Sequence, residues 1–282
     1  MTRADRPLLL YLDFDGVVCD SERECFVSSW LTWRQLGGAE RRAGGANREE
    51  HISLHARRRF RQMRPLIRSG EDYVVIQQIL AREQAEADFH GPATVPAFDA
   101  YRAALGSRCI GRYKVAMART RGAFLARDKA HWLALNRLYP HMRRLLAAGD
   151  LTNVRILSTK AAPLVCEILH AHRIPIPPGA VFHAASNPDG ADARKLDMIG
   201  EHLDRTPGAH ALFVEDQLDH LLGNADRRIA TCLADWGYVL PEWFADHDLL
   251  RAERVRVVAA ADMPDLFRRA RRAGLAAHAG RA

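Results

Sequence analysis

Five short apolar segments recur along the chain without a clean alternation of polar residues. They are rich in Val, Ile and Leu and comprise Leu8–Asp13, Val154–Leu157, Ala211–Val214, Ile229–Leu233 and Val255–Val258. Segments that are apolar on both faces are typical of strands buried on both sides of a parallel sheet. The pattern therefore predicts five strands of one buried sheet.

Amphipathic segments lie between and after these strands. Apolar residues at helical spacing predict helices at Ala161–His172, Ala193–Leu203, Leu218–Ala225 and Met263–Ala273. Alternation of strands and helices is typical of a parallel sheet with helices on both faces. The predicted fold class is therefore α/β, with a three-layer α/β/α Rossmann-like core and a mainly parallel sheet.

Residues 22–137 interrupt this alternation with several helical stretches and no convincing strand. Ser69 and Asp72 have the spacing of a capping box at the start of an apolar helix that is predicted to end near Phe89. A turn is predicted at Gly91–Pro96, and the Gly-rich run at 37–50 predicts a loop. We therefore predict an all-helical domain at 22–137, inserted into a core formed by residues 1–21 and 138–282.

Charge is concentrated in the inserted domain. Residues 22–137 hold 21 Lys and Arg against 12 Asp and Glu, a net charge of +9, whereas the rest of the chain carries −2. Such a surface either faces an anionic partner or is simply solvated. The segment has no interleaved aromatic platform and no nucleic-acid motif, which disfavours nucleic acid as the partner.

The cysteines and apolar runs indicate the compartment. Five cysteines show no paired or metal-finger spacing, which is typical of reduced thiols in a cytosolic protein. The sequence shows no signal-peptide pattern and no apolar run of membrane-spanning length. We therefore expect a cytoplasmic protein that does not bind a membrane.

Two carboxylates, Asp13 and Asp15, follow the first predicted strand, and Gly16 comes next. Ligands of parallel sheets bind at the carboxyl ends of the strands, and residues two apart on a strand face the same side. Repulsion between two close carboxylates must be offset by a cation or by a retained proton. The pair is therefore a candidate metal ligand or acid/base pair, and the alternative is a capped turn at the strand end.

Other polar groups follow other predicted strands. Ser158 and Thr159 lie at the start of a predicted helix, which is a favourable position for binding an anion. Glu215 and Asp216 follow the third strand and suit a hard cation. Lys195 could neutralise an anionic substrate and keep Asp13 ionised.

These features in this order resemble the haloacid-dehalogenase-like (HAD) hydrolase superfamily, in its phosphatase type with a helical C1-type cap. The four motifs correspond to DFDGV, to Ser158 at the end of VRILS, to Lys195 and to LFVEDQLD. The resemblance covers roughly residues 6–20 and 138–265. The segments MRPLIRSGEDY, ILSTKAAPL, LFVEDQLDHL and LADWGYV resemble more specifically a little-characterised plant and cyanobacterial branch.

The resemblance implies a Mg²⁺-dependent phosphatase that hydrolyses a small phosphomonoester, phosphoglycolate-like or a sugar phosphate, through an aspartyl-phosphate. Asp13 would be the nucleophile and Asp15 the general acid/base, while Ser158 and Lys195 would bind the phosphoryl group. The implied Mg²⁺ ligands are Asp13, the backbone carbonyl of Asp15, and Asp216. The implied substrate contacts are Gly16, Thr159, Arg64, Arg68 and Glu71, the last three in the cap.

The fourth motif departs from its commonest form, because Glu215 replaces a glycine and the later acid, Asp219, follows Asp216 by three residues. Glu215 is therefore only a possible metal ligand. For the cap residues, the alternative interpretation is a solvated surface.

Within the superfamily that the chain resembles, an Asp at the position of Asp15 favours enzymes that act on phosphoesters over those that cleave carbon–halogen bonds. A phosphomutase with the same core remains an alternative function, as does a protein that binds nucleic acid or an acidic partner through the basic cap. The sequence leaves the substrate and the oligomeric state open.

Overall fold

The computed structural model describes residues 7–37, 53–184 and 194–279. The chain divides into two compact units, which we call the core unit (Met1–Asp20 with Arg137–Ala282) and the helical unit (Ser21–Asn136). The interpretation of these units as a catalytic core and a cap over its site stays a prediction.

The described part of the core unit contains six parallel strands and a short antiparallel pair. The parallel strands are β1 (Leu8–Leu12), β4 (Val154–Ser158), β5 (Val181–His183), β6 (His210–Glu215), β7 (Ile229–Ala234) and β8 (Arg256–Val258). Their order is β5-β4-β1-β6-β7-β8. The antiparallel pair is β2 (Cys19–Asp20) with β3 (Arg137–Leu138). The prediction of an α/β fold with a mainly parallel sheet is confirmed.

The centre of the sheet brings strand ends together. Leu12 is paired with Ile156 on β4 and with Val214 on β6, and all three side chains are buried. The next residue, Asp13, donates its backbone N–H to the Val214 carbonyl at 2.9 Å. Because the strands are parallel and in this register, the residues that follow β1, β4 and β6 meet at one edge of the sheet.

Helices flank the sheet, and the predicted three-layer core is confirmed. They are α7 (Pro140–Ala147), α8 (Ala162–Ala171), α9 (Lys195–Asp204), α10 (Pro241–Ala245), α11 (His247–Ala252) and α12 (Met263–Ala279). Of these, α12 packs on β1, and α9 packs on β6 and β7. The start of the predicted helix at Ala193 lies outside the described residues. None of the helices in the described ranges has the length and apolarity needed to cross a membrane.

The predicted helix Leu218–Ala225 is wrong. Only a 3₁₀ turn forms, at Leu218–His220. Gly223 then has a φ of +67°, and the Asn224 side-chain oxygen accepts the N–H of Asp226. A left-handed residue and a side chain that bonds the nearby backbone both compete with helix continuation.

Three short strands in the described residues have no counterpart among the predicted strands. β5 has only three residues and follows a proline-rich stretch at the edge of the sheet. β2 and β3 have two residues each, so neither shows a periodic pattern. These strands form because tertiary pairing supplies their hydrogen bonds.

In its described residues, 21–37 and 53–136, the helical unit contains six α-helices and a 3₁₀ turn at Arg64–Leu66. The helices are α1 (Glu22–Gln35), α2 (Leu54–Met63), α3 (Asp72–Ala85), α4 (Val95–Leu105), α5 (Ser107–Arg127) and α6 (Lys129–Ala134). For the described part of this unit, the all-helical prediction is confirmed. The predicted loop at 37–50 lies outside the described residues except for Gly37.

The start and end of α3 differ from the prediction. The helix begins at Asp72 with Glu71 as its N-cap, so Ser69 is not the cap residue. Asp72 still accepts the backbone N–H groups of Arg68 and Ser69, which satisfies donors before the helix. The helix ends at Ala85, four residues before the predicted end near Phe89.

A buried ion pair joins α1, α5 and α6. The Glu24 carboxylate accepts hydrogen bonds from the Arg121 guanidinium at 2.9 and 3.1 Å and from Trp132 Nε1 at 3.2 Å. Ser28 donates a further bond at 2.6 Å. Glu24 is fully buried, so removal of its cation would leave an uncompensated charge in the interior.

Arg121→Ala tests this ion pair. We expect the free energy of unfolding to fall by about 3–5 kcal/mol, because the Glu24 carboxylate would stay buried without its cation. Urea unfolding followed by tryptophan fluorescence measures the change. Arg119→Ala on the same helix is the control, since Arg119 is exposed and should change stability by less than about 0.5 kcal/mol. Equal losses in the two variants would refute the importance of the pair.

Candidate active site

The carboxyl edge of the sheet collects the predicted polar residues of the core unit. Asp13 follows β1, Ser158 ends β4, and Glu215 ends β6 with Asp216 directly after it. All four are buried. Lys195, the first residue of α9, reaches the same place. The structure therefore brings together groups that lie up to about two hundred residues apart in the sequence.

Lys195 bridges two carboxylates. Its Nζ lies 2.6 Å from Asp13 Oδ1 and 2.6 Å from Glu215 Oε2, and its side chain is 3% exposed. Burial lowers the pKa of Lys195, but Asp13 and Glu215 together hold it above its usual range. The buried ammonium is therefore charged, and the two carboxylates compensate its loss of hydration.

Glu215 and Asp13 respond differently to the shared lysine. Burial raises the pKa of Glu215, but Lys195 and His220 outweigh it and hold this pKa well below its usual range. For Asp13, burial and the Glu215 carboxylate raise the pKa, and Lys195 lowers it. The raising effects are larger, so the pKa of Asp13 is about 7. One ammonium does not satisfy both acids, so the site is short of positive charge.

Glu215 is held in place on all sides. Its Oε1 accepts the backbone N–H groups of Asp216 and Gln217, each at 3.1 Å. Its Oε2 receives Lys195 and lies 3.2 Å from His220 Nδ1. These contacts make Glu215 the anchor of Lys195, and its possible role as a metal ligand stays a prediction.

Asp216 lies in a narrow pocket of backbone. Its Oδ2 accepts the backbone N–H of Tyr238 at 2.7 Å. A Cβ on Gly16, which has a φ of +101°, would lie 1.9 Å from that oxygen, and a Cβ on Gly237 would lie 2.4 Å from the Asp216 Cβ. Both positions therefore require glycine. The sequence analysis missed Gly237, and its signal is a glycine just after β7.

The turn after β4 adds a second buried lysine. The Ser158 hydroxyl oxygen accepts the backbone N–H of Lys160 at 3.1 Å, while Thr159 between them is partly exposed. Lys160 Nζ lies 3.0 Å from Asp15 Oδ1, and the lysine side chain is 1% exposed. Lys160 follows Ser158 by two residues, but nothing in the sequence indicates that its side chain would reach Asp15.

The carboxylates of the site suit a hard cation. Asp13, Glu215 and Asp216 each offer a carboxylate oxygen, and these atoms lie within 4.8 Å of one another. Carboxylate oxygens are the ligands that Mg²⁺ prefers. With Asp15 the site has four carboxylates against Lys160 and Lys195, a formal charge of −2 that one divalent cation would neutralise.

The three predicted substrate contacts of the helical unit all have partners within that unit. Arg68 pairs with Asp99 at 2.6 Å, and Arg102 pairs with Glu71 at 3.2 Å. Arg64 is buried, with its guanidinium 5.2 Å from the centre of the Tyr73 ring. These contacts give each residue a role in packing, and their contact with a substrate stays a prediction.

Gly237→Ala tests the pocket around Asp216. We expect a loss of about 2 kcal/mol in the free energy of unfolding, because the added methyl group overlaps Asp216. A displaced Asp216 should also reduce the rise in melting temperature on addition of MgCl₂. Gly200→Ala, on α9 with only an ordinary contact at 3.6 Å, is the control. An unchanged response to MgCl₂ in Gly237→Ala would contradict the prediction.

No family model matches the chain, and no curated protein matches it. Solved structures match over nearly its whole length. One, described as a predicted phosphoglycolate phosphatase from Haemophilus somnus, is 16% identical with a TM-score of 0.54, covering 94% of this chain and 99% of its own. At an identity this low, the likeness shows the fold alone.

Two further structures are similar. A predicted phosphatase from Clostridium acetobutylicum is 13% identical with a TM-score of 0.51, covering 93% of this chain and 97% of its own. A haloacid-dehalogenase-like hydrolase from Streptococcus pneumoniae is 15% identical with a TM-score of 0.50, covering 93% and 99%. The plant and cyanobacterial branch stays a prediction. The chain thus has the fold of haloacid-dehalogenase-like proteins, as the motifs led us to expect.

Proposed function

We propose that the protein is a Mg²⁺-dependent phosphatase that hydrolyses a small phosphomonoester through an aspartyl-phosphate on Asp13. The observation that carries the proposal is the buried Asp13–Lys195–Glu215 bridge beside Asp216 at the carboxyl edge of the sheet. Two proteins with the same fold are described as predicted phosphatases, which supports the proposal.

Asp13 is the proposed nucleophile. Lys195 binds one of its carboxylate oxygens, which leaves the other to attack phosphorus. The bond from phosphorus to the ester oxygen breaks as the bond to Asp13 forms. Lys195 would stabilise the charge on the phosphoryl oxygens, since it already lies within hydrogen-bond distance of the nucleophile.

Asp15 is the proposed acid and base. It lies two residues after the nucleophile and is partly buried. Its carboxyl group gives a proton to the departing ester oxygen. It then takes a proton from the water that attacks phosphorus, which releases phosphate and restores Asp13.

The turn between β4 and α8 is the proposed binding site for the remaining phosphoryl oxygens. The Ser158 oxygen already accepts the Lys160 N–H, so its own proton is available to a phosphoryl oxygen. Thr159 and the N-terminus of α8 lie next to it, and a helix N-terminus favours an anion. Gly16 is a further proposed substrate contact, and it lies directly beside Asp216.

The residues at the site fit Mg²⁺. Asp13, Asp216 and the backbone carbonyl of Asp15 would hold it, with Glu215 as a possible further ligand. The formal charge of −2 and the buried oxygen donors support this assignment. When bound, Mg²⁺ supplies neutralisation of the charge that develops on the transferred phosphoryl group.

The helical unit is the proposed cap, and Arg64, Arg68 and Glu71 are its proposed substrate contacts. The proposed substrate class is phosphoglycolate-like compounds or sugar phosphates, in the cytoplasm. Arginine side chains suit a carboxylate or second phosphate on such a substrate.

Asp13→Asn tests the mechanism. We expect turnover of p-nitrophenyl phosphate and of a panel of phosphorylated metabolites to fall at least about a thousandfold, because the amide cannot form the aspartyl-phosphate. The turnover rate is measured as phosphate release in the presence of MgCl₂. EDTA should abolish the wild-type activity and added MgCl₂ should restore it. Asp197→Asn, an exposed acid on α9, is the control.

Two outcomes would change the proposal. Full activity in Asp13→Asn would exclude the proposed nucleophile. Formation of an isomerised sugar phosphate without release of phosphate would instead indicate a phosphomutase, which uses the same core chemistry.

A further inference from the structure

Lys160 has a contact that the mechanism above does not use. Its ammonium lies 3.0 Å from Oδ1 of Asp15 and its side chain is 1% exposed. That carboxylate oxygen is buried and meets no hydrogen-bond donor of good geometry in the part of the chain that the structure describes. The contact is therefore an ion pair, and the ammonium is what holds this oxygen.

We propose that Lys160 is a positioning residue for the acid/base carboxyl group of Asp15. The inference rests on the proposed function and deepens it, because it assigns a second lysine to the site. Lys195 holds the nucleophile, and Lys160 holds the group that moves the proton.

The Lys160 ammonium also lies near a second residue of the DFD segment. Besides Asp15, it lies 5.7 Å from the centre of the Phe14 ring, and Phe14 is fully buried between the two acids in the sequence. An ammonium near an aromatic ring is attracted to its face. The lysine therefore contacts the DFD segment at two successive residues.

Repulsion within the site makes a positioning group necessary. The Asp13 and Asp15 carboxyl groups lie two residues apart at the same edge of the sheet, and like charges this close repel each other. Lys195 is already engaged by Asp13 and Glu215. Lys160 is a cation that faces Asp15 directly, so it can hold the Asp15 carboxyl group at the place where the ester oxygen departs.

One turn combines two tasks. The backbone N–H of Lys160 binds the Ser158 hydroxyl oxygen, so the residue that would bind phosphoryl oxygens and the lysine that holds Asp15 are fixed together. A general acid must lie within hydrogen-bond reach of the oxygen that it protonates. The turn after β4 therefore sets the Asp15 carboxyl group relative to the bound phosphoryl group.

Lys160→Met tests the inference, because methionine keeps an unbranched chain and removes the charge. p-Nitrophenol is a good leaving group that needs little help from an acid, whereas the alcohol of glycerol 2-phosphate needs a proton. We expect kcat for glycerol 2-phosphate to fall about a hundredfold with little change in KM. With p-nitrophenyl phosphate we expect a burst of about one nitrophenol per active site, followed by slow turnover, because the hydrolysis step still needs Asp15 as base.

If Lys160 had a purely structural role, Lys160→Met would lower the rates with glycerol 2-phosphate and with p-nitrophenyl phosphate together. It would also reduce the size of the nitrophenol burst. Combination with Asp15→Asn separates the two roles further: in that background Lys160→Met should change kcat less than about twofold, since a positioning residue acts through its partner. Lys160→Arg should recover part of the activity and serves as the variant of choice if methionine lowers the melting temperature. Lys114→Met, an exposed lysine on α5, is the control.

The outcomes are distinct. Wild-type rates in Lys160→Met, or an undiminished effect of Lys160→Met in the Asp15→Asn background, would overturn the inference while the proposed function stands. A wild-type protein that hydrolyses neither substrate would overturn the proposed function and the inference with it.

Discussion

The contact of one buried ammonium with two buried carboxylates is the constraint on which the site depends. Asp13 and Glu215 compensate the burial of the Lys195 ammonium, and Lys195 in turn helps to keep Glu215 ionised. Glu215 is fixed by two backbone N–H groups, so it holds the lysine, and the lysine in turn fixes the orientation of Asp13. Glu215, which does not contact Asp13 directly but acts through Lys195, thus helps to set the direction in which the proposed nucleophile points.

The backbone around Asp216 imposes the second constraint. Gly16 leaves β1 with a positive φ, and Gly237 follows β7, so two loops from different strands close on the same carboxylate. The Tyr238 N–H then orients one of its oxygens. The Asp216 carboxylate is therefore held in one position by the backbone on both sides of it, which a flexible loop could not do.

The sequence predicted the central strands and the acids that follow them because burial on both faces leaves an unmistakable apolar run. It failed at Leu218–Ala225, where the apolar spacing was helical but Gly223 and the Asn224 side chain favoured a turn. It also missed Lys160 and Gly237. Their importance arises from neighbours that lie distant in the sequence, Asp15 and Asp216 respectively, and no local pattern reports such contacts. The same reason explains β5, β2 and β3, which tertiary pairing stabilises.

The division of the core unit along the chain has a consequence for folding during synthesis. β1 is a central strand, but its partners β4 and β6 begin at Val154 and His210, whereas the helical unit is continuous from Ser21 to Asn136. On the ribosome, the strand that leads to Asp13 emerges first and has no partner until more than 130 further residues have followed. The whole helical unit is then synthesised before the sheet can close, and its folding as a unit would shorten the effective loop between β1 and β4.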